Sequence, residues 1–169
     1  MEYVILVDAE DNPLGTAEKM EAHEKALLHR AFSVFIVRDN EMLLQQRALD
    51  KYHCGGLWTN ACCSHPRPGE SVLEAAARRT YEELGVAPEG LEELYCFTYK
   101  SAFSNGLTEH EFDHVLTGAL TAEPKPDPAE VADVRWVNFT DLAAELERAP
   151  ETFTPWFRMA APEVMARLS

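Results

Sequence analysis

Short apolar runs separated by turn-forming residues alternate along this chain with one strongly amphipathic stretch, and that rhythm predicts most of its elements. Strands are expected near 3–8 and 14–20, with Asp11-Asn12-Pro13 as the turn between them. Segments 33–38 and 42–47 form a second predicted hairpin around Asp39-Asn40. The clearest helix spans about 71–84: Ser71 and Glu74 have capping-box spacing, Val72, Ala76, Thr80 and Leu84 recur at helical intervals, and Gly85 supplies the stop. Strand-like stretches follow at 94–103, 110–121 and 133–139. Between the last two, Pro124-Lys125-Pro126-Asp127-Pro128 has to be loop or polyproline. Two short helices are expected to close the chain, one after Thr140 and one after Thr154-Pro155, where threonine caps and proline suits the first turn. The order of elements predicts an α/β (α+β) sandwich with a mixed sheet. Residues 1–169 read as one domain, with Pro124–Pro128 the one place where a linker would fit.

Composition narrows the class. A chain of 169 residues with 46% hydrophobic and 26% charged content is long enough for a sizeable core and too apolar for disorder. The net charge of -14 argues against nucleic acid as a partner, which would need a basic face. An anionic small molecule stays compatible, because screening over about 8 Å lets a few local cations dominate a pocket. Cys54, Cys62, Cys63 and Cys96 do not form a disulfide framework in a chain this long, so reduced thiols are expected. Val4–Val7 is too short for a signal or a span and is flanked by Glu2 and Asp8, which predicts a cytoplasmic protein without a membrane partner.

The candidate chemistry lies in two segments. On an extended backbone residues i and i+2 face the same side, so Cys63 and His65 would look into one space, as would Glu109 and Glu111. Together they supply a thiol, an imidazole and two carboxylates, the parts of a metal and acid/base pocket. Cys62 would fall on the opposite side and serve packing. On the predicted helix, Arg78 and Glu82, and Arg79 and Glu83, stand at i and i+4. Surface ion pairs explain the first pair adequately, at a few tenths of a kcal/mol. The second could instead present a guanidinium and a carboxylate to a metal-bound diphosphate.

The segment Ser64-x5-Glu70-x7-Arg78-Arg79-Thr80-Tyr81-Glu82-Glu83-Leu84-Gly85-Val86 resembles the Nudix box, usually G-x5-E-x7-R-E-U-x-E-E-x-G-U. It departs at two positions: Ser64 replaces the opening glycine, and Arg79 stands where the hydrolases carry a metal-binding glutamate. Exchanging a ligand for a cation works against a multi-metal hydrolytic site. With Trp58-Thr59-Asn60-Ala61-Cys62-Cys63-Ser64-His65-Pro66, Glu18–His23, Leu28–Ser33, Arg47-Ala48-Leu49, Glu109-His110-Glu111 and Phe153-Thr154-Pro155-Trp156, nearly the whole chain is similar to the type I isopentenyl-diphosphate isomerase family.

That resemblance implies a Nudix-like α/β/α sandwich and a 1,3-allylic proton shift between isopentenyl and dimethylallyl diphosphate through a carbocation-like state. It implies Cys63 as the proton-exchanging thiol on one side of the substrate and Glu111 with Tyr99 on the other. A metal site of His23, His29, His65, Glu109 and Glu111 is implied, an N3O2 set suited to Mn²⁺ or Zn²⁺. Mg²⁺ would bridge the diphosphate to Glu83 and the main-chain carbonyl of Cys63. Lys19, Arg47, Lys51 and Arg79 would hold the diphosphate, and Trp156 would face the developing cation. Read singly, Tyr99 and Trp156 also suit a plain core, Lys51 a solvated surface, and His53, His110 and His114 carry no matching motif. The expected oligomeric state is a monomer or weak homodimer. The runner-up function is a Nudix diphosphohydrolase, and a third reading, a metal or redox-sensing module, suffers from the adjacency of Cys62 and Cys63 where C-x2-C would be needed.

Overall fold

Residues 2–51 and 53–169 are described by a computed structural model. The chain begins with the expected hairpin: β1 (Tyr3–Val7) and β2 (Pro13–Glu18) pair antiparallel, and Asp11 turns the chain in a left-handed conformation, φ 66°. The predicted second strand overran its end. At Lys19 the backbone enters a six-residue helix, α1 (Lys19–Glu24), which buries Ala22 and His23. Fewer than two turns leave too short a periodicity to distinguish from a strand.

The central strand, β3 (His29–Arg38), starts at His29 rather than Ser33 and is buried along most of its length. It runs parallel to β8 (Thr108–Leu120), from His29 opposite Glu111 to Ile36 opposite Gly118. Antiparallel to β3 lies the short β6 (Cys62–Ser64), with Cys63 opposite Ser33. The long β7 (Pro88–Ala102) pairs antiparallel with β8. The predicted hairpin joins β3 to β4 (Glu41–Arg47), which pairs with β5 (Trp58–Thr59) and β9 (Val131–Asn138). One parallel pair among antiparallel ones makes the sheet mixed, as expected.

Three longer helices cover the sheet: α2 (Val72–Leu84), α3 (Phe139–Arg148) and α4 (Pro155–Leu168). Alternation along β3 divides the core in two. Phe32, Val34 and Ile36 pack with Ala75, Ala76 and Leu84 of α2, whereas Phe35 packs with Met42, Leu44 and Phe157, Ala160 and Val164 of α4. Each large apolar side chain so buried contributes about 1.5–3 kcal/mol by leaving water. The result is a helix–sheet–helix sandwich.

The capping box of α2 forms as predicted: Glu74 N–H donates to Ser71 Oγ at 3.1 Å, and Ser71 N–H to Glu74 Oε1 at 3.1 Å. The two C-terminal caps differ from expectation. α3 starts at Phe139, and Asn138 caps it by accepting the Asp141 N–H at 2.8 Å, because Thr140 already lies inside the first turn. Thr154 does precede α4, but its hydroxyl is engaged with Thr59 Oγ1 at 2.9 Å and makes no cap. Pro124–Pro128 is loop, held against the C-terminus of α2 by Lys125 N–H to Leu84 O at 2.6 Å and Asp127 N–H to Glu83 O at 2.9 Å. No helix among the described residues is long and apolar enough to cross a membrane.

Candidate active site

Strand alternation sets the site. On β8, Glu109, Glu111 and Asp113 point to one face, toward His29 and Ser33 of β3 and Cys63 of β6. A cavity opens there, lined by Cys63, His65, Tyr99, Glu109, Glu111 and Trp156, with Lys19, Arg47, Lys51, Arg79, Glu83 and Glu130 around it. The thirteen predicted site residues thus fall on one locus: eleven line the cavity or its rim, and the remaining two, His23 and His29, lie against Glu109 and Glu111.

The imidazoles and carboxylates form a continuous cluster. Glu111 Oε2 meets His29 Nε2 at 3.2 Å and His65 Nε2 at 2.8 Å; Glu109 Oε2 meets His23 Nε2 at 3.8 Å. The Tyr99 hydroxyl lies 2.6 Å from Glu109 Oε1 and 2.8 Å from Glu111 Oε1, its one proton shared between the two carboxylates. The carbonyls of Lys19 and Leu27 accept from Nδ1 of His23 and His29 at 2.7 and 2.8 Å, which turns their Nε2 atoms inward to the carboxylates. Ligand atoms of His23, His29, His65 and Glu111 lie within 4.8 Å of one another. Buried imidazole nitrogens converging with carboxylate oxygens are a donor set that a borderline divalent ion, displacing the Nε2 protons, fits well.

Electrostatics follow from that crowding. Burial disfavours a charged His65 and pulls its pKa down to about 4, against the pull of Glu111. Burial also opposes charge on His29, but the hydrogen bond and charge of Glu111 outweigh it and raise that pKa. Burial would raise Glu111, yet His29 and His65 hold it well below the usual carboxylate range. Tyr99 is kept firmly neutral by burial and by the two carboxylates beside it.

The thiol is held from two sides. Cys63 donates to Asn60 Oδ1 at 3.0 Å and accepts the Trp156 indole N–H at 3.0 Å. Burial, with the nearby Asp113, pushes its pKa up to about 12. Cys62 is fully buried in the α2 core, as expected from its opposite orientation. All four cysteines are free thiols.

Cations and carboxylates interleave at the far end. Arg79 donates to Glu83 at 2.6 Å and Glu82 at 2.7 Å, and approaches Glu130 at 3.4 Å. Lys51 also closes on Glu130. Glu83 accepts from Gln45 Nε2 at 2.9 Å; burial raises its pKa despite the Arg79 charge. Arg47 lies over the Trp156 ring, 5.4 Å from its centroid, and Lys19 pairs with Glu2 at 3.1 Å. Arg78 differs from the simple i,i+4 reading: its main partner is Glu70, at 2.7 and 2.9 Å, with Glu82 farther at 3.3 Å.

Four residues escaped the sequence. His53, set aside for want of a motif, meets Glu109 Oε2 at 2.6 Å and stacks on Phe103 at 4.8 Å between centroids. It sits in an irregular segment whose approach to β8 is purely tertiary. Asp113 accepts from Ser33 Oγ at 2.7 Å and is pushed well above the ordinary carboxylate range by burial and the Glu111 charge. Extending the Glu109–Glu111 spacing by one more step would have found it. Asn60 stood inside the Trp58–Pro66 segment without a role assigned to it, and Glu130 had no signal at all. His110 contacts the Ala26 carbonyl and His114 meets Asp11, and neither lines the cavity.

Against known proteins, residues 27–157 match the NUDIX domain. An isopentenyl-diphosphate Delta-isomerase of Serratia proteamaculans is 49% identical over 157 residues, covering 92% of this chain and 87% of that one. Isopentenyl-diphosphate Delta-isomerase 2 of Aromatoleum aromaticum is 46% identical over 164 residues, with 96% and 86% covered. The crystal structure of a Deinococcus radiodurans protein superposes with a TM-score of 0.76 at 20% identity, over 98% of each chain, a likeness of fold alone.

Proposed function

This chain belongs to the isopentenyl-diphosphate Delta-isomerase family, built on the Nudix domain, and from that premise we propose how its residues perform the reaction. The protein interconverts isopentenyl and dimethylallyl diphosphate. Net transfer of one proton on to an allylic unit and another off it needs an acid and a base at different carbons. The observation that carries the assignment is that Cys63 and the Tyr99–Glu111 pair line one cavity. Because the reaction is reversible, each group is an acid in one direction and a base in the other.

Trp156 serves twice in this reading. Its indole N–H supports sulfur as charge builds on Cys63, and its ring offers an aromatic face to a substrate cation, an interaction of about 2 kcal/mol when desolvated. Excluding water matters equally, since a tertiary cation meeting water would become an alcohol. His23, His29, His65, Glu109 and Glu111 would hold Mn²⁺ or Zn²⁺, with His53 supporting Glu109. When bound, that ion supplies positive charge beside Glu109 and Glu111 and fixes their orientation. Glu83 and the Cys63 carbonyl would hold the Mg²⁺ that accompanies the substrate, while Lys19, Arg47, Lys51 and Arg79 would take its phosphate oxygens. Entry of the diphosphate requires Arg79 and Lys51 to exchange Glu130 for phosphate.

Incubation with isopentenyl diphosphate in D2O is expected to give deuterated dimethylallyl diphosphate. Phosphate release without isomerisation would return the protein to the hydrolases.

A further inference from the structure

We infer that Cys96, His114 and Glu93 form a second divalent-cation site, suited to Zn²⁺, on the face of the β7–β8 ribbon turned away from the catalytic cavity. Alternation along β8 puts His114 on the face opposite Glu109, Glu111 and Asp113. Cys96 is its direct cross-strand partner on β7. Glu93, three residues earlier, would ordinarily face the other way; the register shift between Glu93 and Tyr95 inserts the extra residue that returns it to the same side.

The three donor atoms converge. Cys96 Sγ lies 3.4 Å from His114 Nδ1, Glu93 Oε1 closes on the same nitrogen, and all three lie within 4.8 Å of one another. A tetrahedral zinc, with Zn–S about 2.3 Å and Zn–N about 2.0 Å, separates sulfur and nitrogen by about 3.5 Å. The Cys96–His114 spacing matches that separation, and Glu93, now in direct contact with Nδ1, would draw back to admit the ion between them.

The surroundings are those of a metal-bound histidine. Nε2 of His114 is 2.9 Å from Asp11 Oδ2, the carboxylate–imidazole arrangement that fixes a ligand's tautomer and strengthens its other nitrogen. Asp11 is itself anchored by Arg30, which donates Nε to Oδ1 at 2.8 Å and Nη2 to its carbonyl at 2.7 Å. Sulfur, nitrogen and oxygen donors suit zinc, and the exposed Glu93 leaves a route in and a fourth position for water. Binding Zn²⁺ displaces the thiol proton and the proton on His114 Nδ1 to solvent, leaving a coordinated thiolate and an imidazole whose Nε2–H stays on Asp11. Such an ion would staple the β1–β2 turn, through Asp11, to the β7–β8 ribbon.

Co²⁺ titration of the chelator-treated full chain tests the site, because a thiolate bound to Co²⁺ gives a near-ultraviolet charge-transfer band and the catalytic cluster offers nitrogen and oxygen ligands only. The band should saturate within about two equivalents, since the cavity cluster also takes Co²⁺, yield to Zn²⁺, persist in Cys63→Ser and vanish in Cys96→Ser, whose isomerase activity should stay within about twofold. In Asp11→Asn, which keeps all three ligands, Co²⁺ affinity should fall about tenfold or more. Absence of the band, its survival in Cys96→Ser, or unchanged affinity in Asp11→Asn would overturn the inference.

Discussion

Asn60 settles what the Cys63 sulfur does at rest. Its amide N–H2 donates to Val34 O at 3.0 Å and Cys62 O at 2.9 Å, which leaves Oδ1 to accept the thiol proton. With its pKa near 12, three units above an ordinary thiol, Cys63 holds about a thousandfold less thiolate at neutral pH. Alkylation of Cys63 by iodoacetamide, followed by peptide mass spectrometry, should therefore be slow and keep accelerating as pH rises past 9; a plateau near 9 would mean an unperturbed thiol. Two glutamates, Glu70 just ahead of α2 and Glu111 on β8, differ in kind. Glu111→Gln removes a carboxylate that meets His29, His65 and Tyr99 and should lower kcat by about a hundredfold or more, in the range of lost general acid–base groups. Glu70→Gln loosens a partly exposed clamp on Arg78 and should cost under about 1 kcal/mol of stability with little loss of kcat. The reverse order would undo the assignment. Cys63, His65 and the paired glutamates were legible because period two puts them on one face. His53 was not, since nothing local in the sequence tells a loop histidine that Glu109 will be 2.6 Å away.

At the level of elements, legibility tracked length and capping chemistry. α2 was readable because a capping box opens it and Gly85 closes it, whereas α1 has neither a side-chain cap nor enough turns to show a face. The end of α2 also holds the proline-rich segment in place. Gly85 sits at φ 72°, and a Cβ there would lie 2.4 Å from the Lys125 carbonyl oxygen, inside any tolerable contact. That approach lets Asp127 bond the Glu83 carbonyl and sets Glu130 beside Lys51 and Arg79. The helix stop and the cationic end of the cavity are thus one construction. Gly85→Ala combines left-handed strain of about 1–2 kcal/mol with a backbone clash, so a loss of at least about 2 kcal/mol in urea unfolding is expected. Displacing the loop should also raise KM more than it lowers kcat. A neutral substitution would mean that residues 124–128 move freely away from α2.

Across the whole molecule, the cavity cluster is a tertiary clasp whose parts come from α1, β3, the loop before β5, the end of β6, and β8. It gathers His23, His29, His53 and His65 around Glu109 and Glu111, with Asp113 next along the strand, in a chain of net charge -14. Without a cation those carboxylates rely on imidazoles and one tyrosine for compensation, and burial works against the charged His65. A divalent ion bound only by the folded arrangement adds RT ln(1 + [M]/Kd), about 4 kcal/mol when free metal exceeds Kd a thousandfold. For a chain of this size that is roughly 10 °C in melting temperature. Chelation should therefore abolish isomerase activity and lower the melting temperature together, with Mn²⁺ or Zn²⁺ restoring both. The measurement belongs in the Cys96→Ser protein, where the outer cluster lacks its sulfur ligand and any shift reports the cavity. Loss of activity with no change in melting would show that the segments meet without metal and that the ion acts on substrate alone; unchanged activity would remove the ion from the reaction.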